Sequence, residues 1–357
     1  MSLPSGTRSL SYSQDMAFVH TKTQWMLLIL GLVFLFTMPL YLPRDILYLV
    51  NLIGITIIVV QGLNILTGCC GQVSLGQAAF MMVGAYTSAW LSIYLDLSFW
   101  LILPIAGLSA GLVGLIFGAP SLRIKGFYLA MSTLAAQFII PWCIRNINPS
   151  WTGGHSIIRL PAPTLGNLIF NTESSMFYII ITLTVFVVFF TKNLIRTRVG
   201  KAFVAIRDND LAAEVTGIDI FRYKLLAFFI SAVYAGIAGC LWAFWYRNVY
   251  FSHFELDQSI WYLGMLVVGG MGNGVLGACI GPIFIRVLDF CLPNLGPALV
   301  GLIPSFVSQS DVIVALKPTF FGLIILLFII FEPRGLSHRW EMFKLYYRLW
   351  PFSSQGR

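Results

Sequence analysis

The sequence predicts an all-α fold, a polytopic transmembrane helical bundle of about ten spans. Three observations carry this. Of the 357 residues, 58% are hydrophobic and only 10% charged, with a mean hydropathy of +0.85 and 29 Phe and 10 Trp, a balance foreign to a soluble domain of this length. Apolar runs approaching the ~20 residues needed to cross hydrocarbon recur along the whole chain. The basic residues gather between those runs, where they orient a chain in a bilayer.

Apolar runs bounded by polar or Gly/Pro breaks place spans at 25–41, 46–66, 78–95, 99–118, 126–144, 176–191, 225–246, 258–272, 275–291 and 312–331. Residues 1–24 are polar and hold no apolar stretch ending in a small-residue cleavage site, so the first run reads as a retained span. The chain divides into a cytoplasmic N-terminal segment 1–24, a transmembrane domain 25–331 and a cytoplasmic tail 332–357.

The orientation follows from one polar island. The loop 192–224 carries seven Lys/Arg and four acids, and the tail carries five more Lys/Arg from Arg334 to Arg357. Because Lys and Arg resist translocation, both segments face the cytoplasm. Four spans between them and six before the loop satisfy parity and put both termini inside, with 145–175 as a structured outer loop rich in turn formers. This topology assigns 16 of the 22 Lys/Arg to cytoplasmic segments.

The net charge of +8 is explained by this orientation and not by nucleic acid. The six cysteines lack metal-ligand or disulfide-framework spacing and read as packing residues. His20, His155, His253 and His338 fall in separate segments, which excludes a catalytic cluster on sequence grounds. Only the last two spans contain charge: Arg286 with Asp289, spaced to pair on one helix face, and Lys317, placed to snorkel to the outer interface. Ion-coupled carriers hold carboxylates or His deep in the bundle, so the energy source is expected outside the membrane domain.

Three short stretches carry the expected mechanics. Lys201–Val215 has no Gly or Pro, steps Phe203, Ile206, Asp210 and Ala213 along one face, and ends before Gly217, so it reads as one short amphipathic helix with a glycine stop. Such a helix suits a groove on another protein. The glycine-rich break at 68–77 brings Gln72, Ser74 and Gln77 between apolar spans, where uncharged donors and acceptors fit either a path for a polar solute or a wet turn. Glycines at 107, 111, 114 and 118 fit close helix packing. The join at 269–277 holds five glycines and is read as a tight cytoplasmic turn or, alternatively, a re-entrant element.

GLNILTGCCGQVSLGQAAFMMVGAYTSA (62–89), VGKAFVAIRDNDLAAEVTGIDIFRYKLLAFFISAVYAGIAGCLWA (199–243) and MLVVGGMGNGVLGACIGP (265–282) together resemble the M-type permease of the leucine/isoleucine/valine ATP-binding cassette importers, over roughly residues 46 to 335. The resemblance implies an importer permease in the bacterial plasma (inner) membrane. It moves branched-chain or related neutral amino acids by alternating access, working with a second, H-type permease, two ATPase subunits and an extracytoplasmic solute-binding protein. It also implies that Gly200, Arg207, Asp208, Ala212, Ala213, Glu214 and Gly217 couple the bundle to the ATPases, Ala212-Ala213-x-x-x-Gly217 matching the importer coupling motif. Leu211 departs from that motif, which has Glu there. No G-x-x-x-x-G-K-[ST] phosphate loop occurs, so the chain binds no cofactor and its partners hydrolyse ATP. The competing readings are a permease for amides or urea and a secondary carrier for small neutral solutes.

Overall fold

The computed structural model describes residues 22–121, 128–147, 153–165, 168–272, 274–300 and 309–349. Each of the ten apolar runs became a helix. In chain order these are α1 (Lys22–Tyr41), α2 (Arg44–Leu63), α3 (Gln77–Tyr94), α4 (Phe99–Ser121), α5 (Tyr128–Asn146), α6 (Glu173–Arg196), α9 (Ile220–Tyr246), α10 (Leu256–Gly269), α11 (Gly277–Val300) and α12 (Gln309–Phe331). Between them lie α7 (Arg198–Asp208) and α8 (Asp210–Val215), and α13 (Gly335–Leu349) follows the last run. Among the described residues, four helices are long and apolar enough on their own to cross a membrane: Arg44–Cys69, Phe99–Pro120, Glu173–Arg196 and Ile220–Tyr246.

The bundle is built around α9, which packs on α4, α3 and α2. Small residues set the spacing. Gly84 of α3 lies directly against Gly236 of α9, and a methyl on Gly84 would sit 2.5 Å from the Gly236 Cα. Any side chain at either position would push the two helices apart. Along α4, Gly107, Gly111 and Gly118 face Ile237, Phe229 and Phe228 of α9, which is the packing role expected for that stripe. Around this centre α2 packs on α6 and α11, α10 packs on α11 and α12, and α5 packs on α3 and α4.

Two short antiparallel ribbons organise the segment between α5 and α6. Strand β1 (Ile158–Arg159) pairs with β4 (Asn248–Val249), and β2 (Thr164–Leu165) pairs with β3 (Leu168–Ile169). The α9 end beside them is fixed by side chains. Trp245 Nε1 and Asn51 Nδ2 both donate to Glu173 Oε2, at 2.8 and 3.0 Å, tying α9, α2 and α6 together.

One expectation is corrected here. The run Lys201–Val215 is not one helix but two, broken at Asn209. That residue adopts extended backbone (φ −160°) and its side chain accepts the Ala212 N–H at 3.1 Å, so it caps α8 and ends α7. Lys317 pairs with the α11 carboxylate: its Nζ lies 2.9 Å from Asp289 Oδ1, while Arg286 is 4.0 Å from the same carboxylate and donates through Nε to Thr56 Oγ1. At the join 269–277, Gly270, Gly272 and Gly274 are at positive φ, and α10 before it has 14 residues, about 21 Å of helix.

Candidate functional site

The break between α2 and α3 is the structural oddity of the bundle. After Leu63 the helix loosens into a π-helical turn over Asn64–Cys69, and the chain then runs without regular structure to Gly76. A wider turn of this kind marks a strained or working point in a helix. The turn is braced at both edges. Cys70 N–H returns to the Ile65 carbonyl and Gln72 N–H to the Leu66 carbonyl, while Thr67 Oγ1 donates to the Gln72 carbonyl. From the side, Gln61 Nε2 and Asn64 Nδ2 donate to the Val275 and Gly274 carbonyls, joining this turn to the α10–α11 turn.

The next helix starts inside the protein. Gln77, Ala78 and Ala79 are buried, and Gln77 exchanges hydrogen bonds with Ser231 near the middle of α9: its Nε2 donates to the Ser231 carbonyl and its Oε1 accepts from Ser231 Oγ. A helix N-terminus leaves backbone N–H groups without intrahelical partners, which is costly away from water. Side chains from two other helices meet them. Ser259 Oγ of α10 accepts the Ala78 N–H at 2.9 Å, and Gln137 Oε1 of α5 accepts the Ala79 N–H at 3.0 Å. Thr133 Oγ1 accepts the Leu75 N–H, and Ser259 donates to Gln137, which donates onward to the Phe254 carbonyl. All of these side chains are at most 2% exposed.

The three sequence-predicted path residues therefore differ. Ser74 is buried with its Oγ 3.4 Å from the Gly76 N–H, and Gln77 is fully engaged as a strut. Gln72 is buried too, but its Oε1 meets no partner among the described residues. Sequence reading missed Thr133, Gln137, Ser231 and Ser259. Gln137 and Ser231 are uncharged polar residues isolated in apolar runs, which was the available signal for them; Thr133 and Ser259 adjoin other polar residues and carried no such signal.

The coupling candidates divide by exposure. In α7, Phe203 and Ile206 are buried in the core, and Gly200 is buried where the chain doubles back on Ile195. Asp208 is exposed and pairs with Arg207 at 3.0 Å. Arg207 also points inward: its Nη1 donates to the Gly68 carbonyl at 3.0 Å, and its Cγ packs where a methyl on Gly71 would stand. Its Nη1 similarly occupies the space beside Gly272. One arginine thus touches the π-helical turn and the α10–α11 turn with its guanidinium and the break with its stem.

In α8, Ala213 is 3% exposed and turns toward the bundle. The outward face is Leu211, Ala212, Glu214 and Val215, with Val215 89% exposed. Gly217 stops the helix at φ 85°: Ile218 N–H reaches the Ala213 carbonyl and Gly217 N–H the Glu214 carbonyl, the paired bonds of a Schellman cap. Lys224 fixes the N-terminal end of α8 from α9 through a 2.9 Å pair with Asp210.

Four helices long and apolar enough to cross a membrane, packed around a buried helix start lined by uncharged polar groups, are the architecture of a multi-pass membrane protein. The chain belongs to the family described as branched-chain amino acid transport system / permease component, matching it over residues 45–331. It is 34% identical over 277 residues to the high-affinity branched-chain amino acid transport system permease protein LivM of Escherichia coli K12, covering 71% of this chain and 65% of that protein. The corresponding protein of Salmonella typhimurium is 33% identical over the same shares, and a probable LivM of Methanocaldococcus jannaschii is 27% identical over 65% of this chain and 66% of its own length. The chain thus spans about two thirds of the length of these curated relatives, 65% for the first two. No solved structure matches it.

Proposed function

We propose that this chain is the membrane-spanning subunit of an ATP-driven importer for branched-chain or related neutral amino acids, residing in the bacterial plasma membrane with both termini and the 192–224 loop in the cytoplasm. It works by alternating access with a second permease chain, two ATPase subunits and an extracytoplasmic binding protein. The family match and the names of its relatives support the substrate class and the assembly.

One observation carries the mechanism: Arg207 leaves an exposed loop to hold the Gly68 carbonyl of the helix break. In this reading the ATPases press on the outward face of α8, α7 rotates with it, and Arg207 transmits the movement to the break and to the buried start of α3. The solute passes by Gln72, Ser74 and the polar groups around Gln77, which offer hydrogen bonds without charge. Affinity resides in the binding protein, so weak contacts along the path favour release.

Proteoliposomes carrying this chain with its partner permease, ATPases and binding protein test the reading. Uptake of labelled leucine that needs ATP and the binding protein is the expected result. Leucine uptake by this chain alone, without ATP, overturns it in favour of a secondary carrier, and uptake confined to urea or amides overturns the substrate class.

A further inference from the structure

The last helix, α13, is joined to α12 by a short corner, and the two axes differ by 46°. It therefore neither prolongs the preceding apolar helix nor folds back along it. Its first turn is sealed against the bundle. Gly335, at φ 73°, backs onto Gly270, and a methyl on Gly270 would stand 2.5 Å from Ser337 Oγ and 2.6 Å from the Arg334 carbonyl oxygen. Ser337 is 1% exposed, and Leu336 packs on the core.

Beyond that turn three aromatic side chains are exposed. Trp340, Phe343 and Tyr346 are 48%, 62% and 67% exposed. Trp340 stacks on Phe343 with ring centroids 6.0 Å apart, and Lys344 Nζ lies 5.4 Å from the Trp340 ring. At about 3.6 residues per turn, Leu336, Trp340 and Phe343 form one stripe, and Lys344 borders it. From Arg334 to Arg357 the sequence holds five Lys/Arg against one acid, Glu341.

We propose that α13 is an interfacial anchor that binds acidic phospholipid headgroups of the bilayer in which the protein sits. The apolar helix α12 ends where the stripe begins, and α12 and α13 together are long and apolar enough to cross a membrane, so with α12 in the bilayer these rings stand at its surface. Aromatic residues flanked by Lys and Arg settle at headgroup level, and the excess positive charge selects acidic lipid. Because its first turn grips Gly270, the anchored helix also holds the α10–α11 turn, whose Gly272 adjoins Arg207. Lipid composition thereby biases the same junction that the loop acts on.

The test uses the full chain with Cys291→Ser and Phe343→Cys, labelled with an environment-sensitive fluorophore, in nanodiscs of phosphatidylcholine with or without phosphatidylglycerol. The expected result is blue-shifted emission, quenched by headgroup-level spin-labelled lipid, that depends on phosphatidylglycerol. Lys344→Glu should cut the anchored fraction's equilibrium constant by at least about fivefold, the effect of one basic residue near an anionic surface. A probe at position 290 of α11, unchanged between the two lipids, shows that the bundle is intact. Water-like emission in both lipids overturns the proposal, as does equal burial in both, which marks a continuing span. A shift that appears only when ATPase subunits are added, without phosphatidylglycerol, also overturns it and assigns the stripe to protein.

Discussion

Arg207 Nη1 donates a 3.0 Å hydrogen bond to the carbonyl oxygen of Gly68, across 139 positions of sequence. The carbonyl belongs to the π-helical turn, where the loosened ladder leaves oxygens without regular helical partners. A charged donor there is worth about 1.5–3 kcal/mol when buried, and Arg207 is one-third exposed, so the lower part of that range applies.

Arg207→Ala should therefore cut uptake about tenfold while leaving the thermal midpoint of the purified chain within a degree or two. Arg207→Lys, which keeps the charge but loses the fork that reaches both Gly68 and the Gly272 turn, should fall between the two. Proteoliposome uptake alongside a melting curve checks this. Wild-type uptake by Arg207→Ala would remove the link between loop and break.

The outward face of α8 separates interface from core. Leu211→Asp and Val215→Asp alter residues 65% and 89% exposed and should lower ATPase coupling severalfold without moving the melting temperature of this chain. Ala213→Arg must instead force a charge into a buried site and should destabilise the loop by several kcal/mol. Pull-down with the ATPase subunits, paired with limited proteolysis at 198–217, distinguishes the two classes. Protease resistance in Ala213→Arg equal to that of wild type would contradict its burial.

The ten apolar runs were legible because each sits between Gly, Pro or charged breaks, and every one became a helix. Gly217 was legible as a stop because a left-handed residue without a Cβ announces itself. Asn209 was not, because the three- and four-residue steps of Phe203, Ile206, Asp210 and Ala213 run straight through it and mask its capping role. The burial of Ala213 depends on neighbouring elements that local periodicity does not describe. The polar core around Gln77 drew residues from α5, α9 and α10, and a single polar residue in an apolar run does not name its partner.

That polar core sets opposite expectations for two glutamines. Gln77→Leu takes from the buried Ser231 hydroxyl its acceptor, at about 1–3 kcal/mol for the unmet group, so it should lower the melting temperature as well as uptake. Gln72→Leu removes an oxygen that already lacks a partner among the described residues, so its stability should match wild type within about 1 kcal/mol while uptake falls. Uptake at matched expression, read against detergent melting curves, checks the pair. Unchanged uptake in Gln72→Leu would return that residue to a packing role.

The charges of α11 and α12 make the sharpest stability case. Asp289 lies between Lys317, at 2.9 Å, and Arg286, whose residue is 9% exposed and whose Nε is committed to Thr56. Removing the carboxylate leaves a buried guanidinium without its anion, and breaking such a set costs about 3–5 kcal/mol, whereas replacing the whole set with apolar groups is often neutral. Asp289→Leu should accordingly lower the detergent melting temperature by several degrees. Asp289→Leu combined with Arg286→Met and Lys317→Met should recover most of that loss, because no charge is then left unpaired. The recovery is the decisive measurement: a triple variant as unstable as the single one would mean that Asp289 contributes through packing or solute contact and not by balancing its two cations.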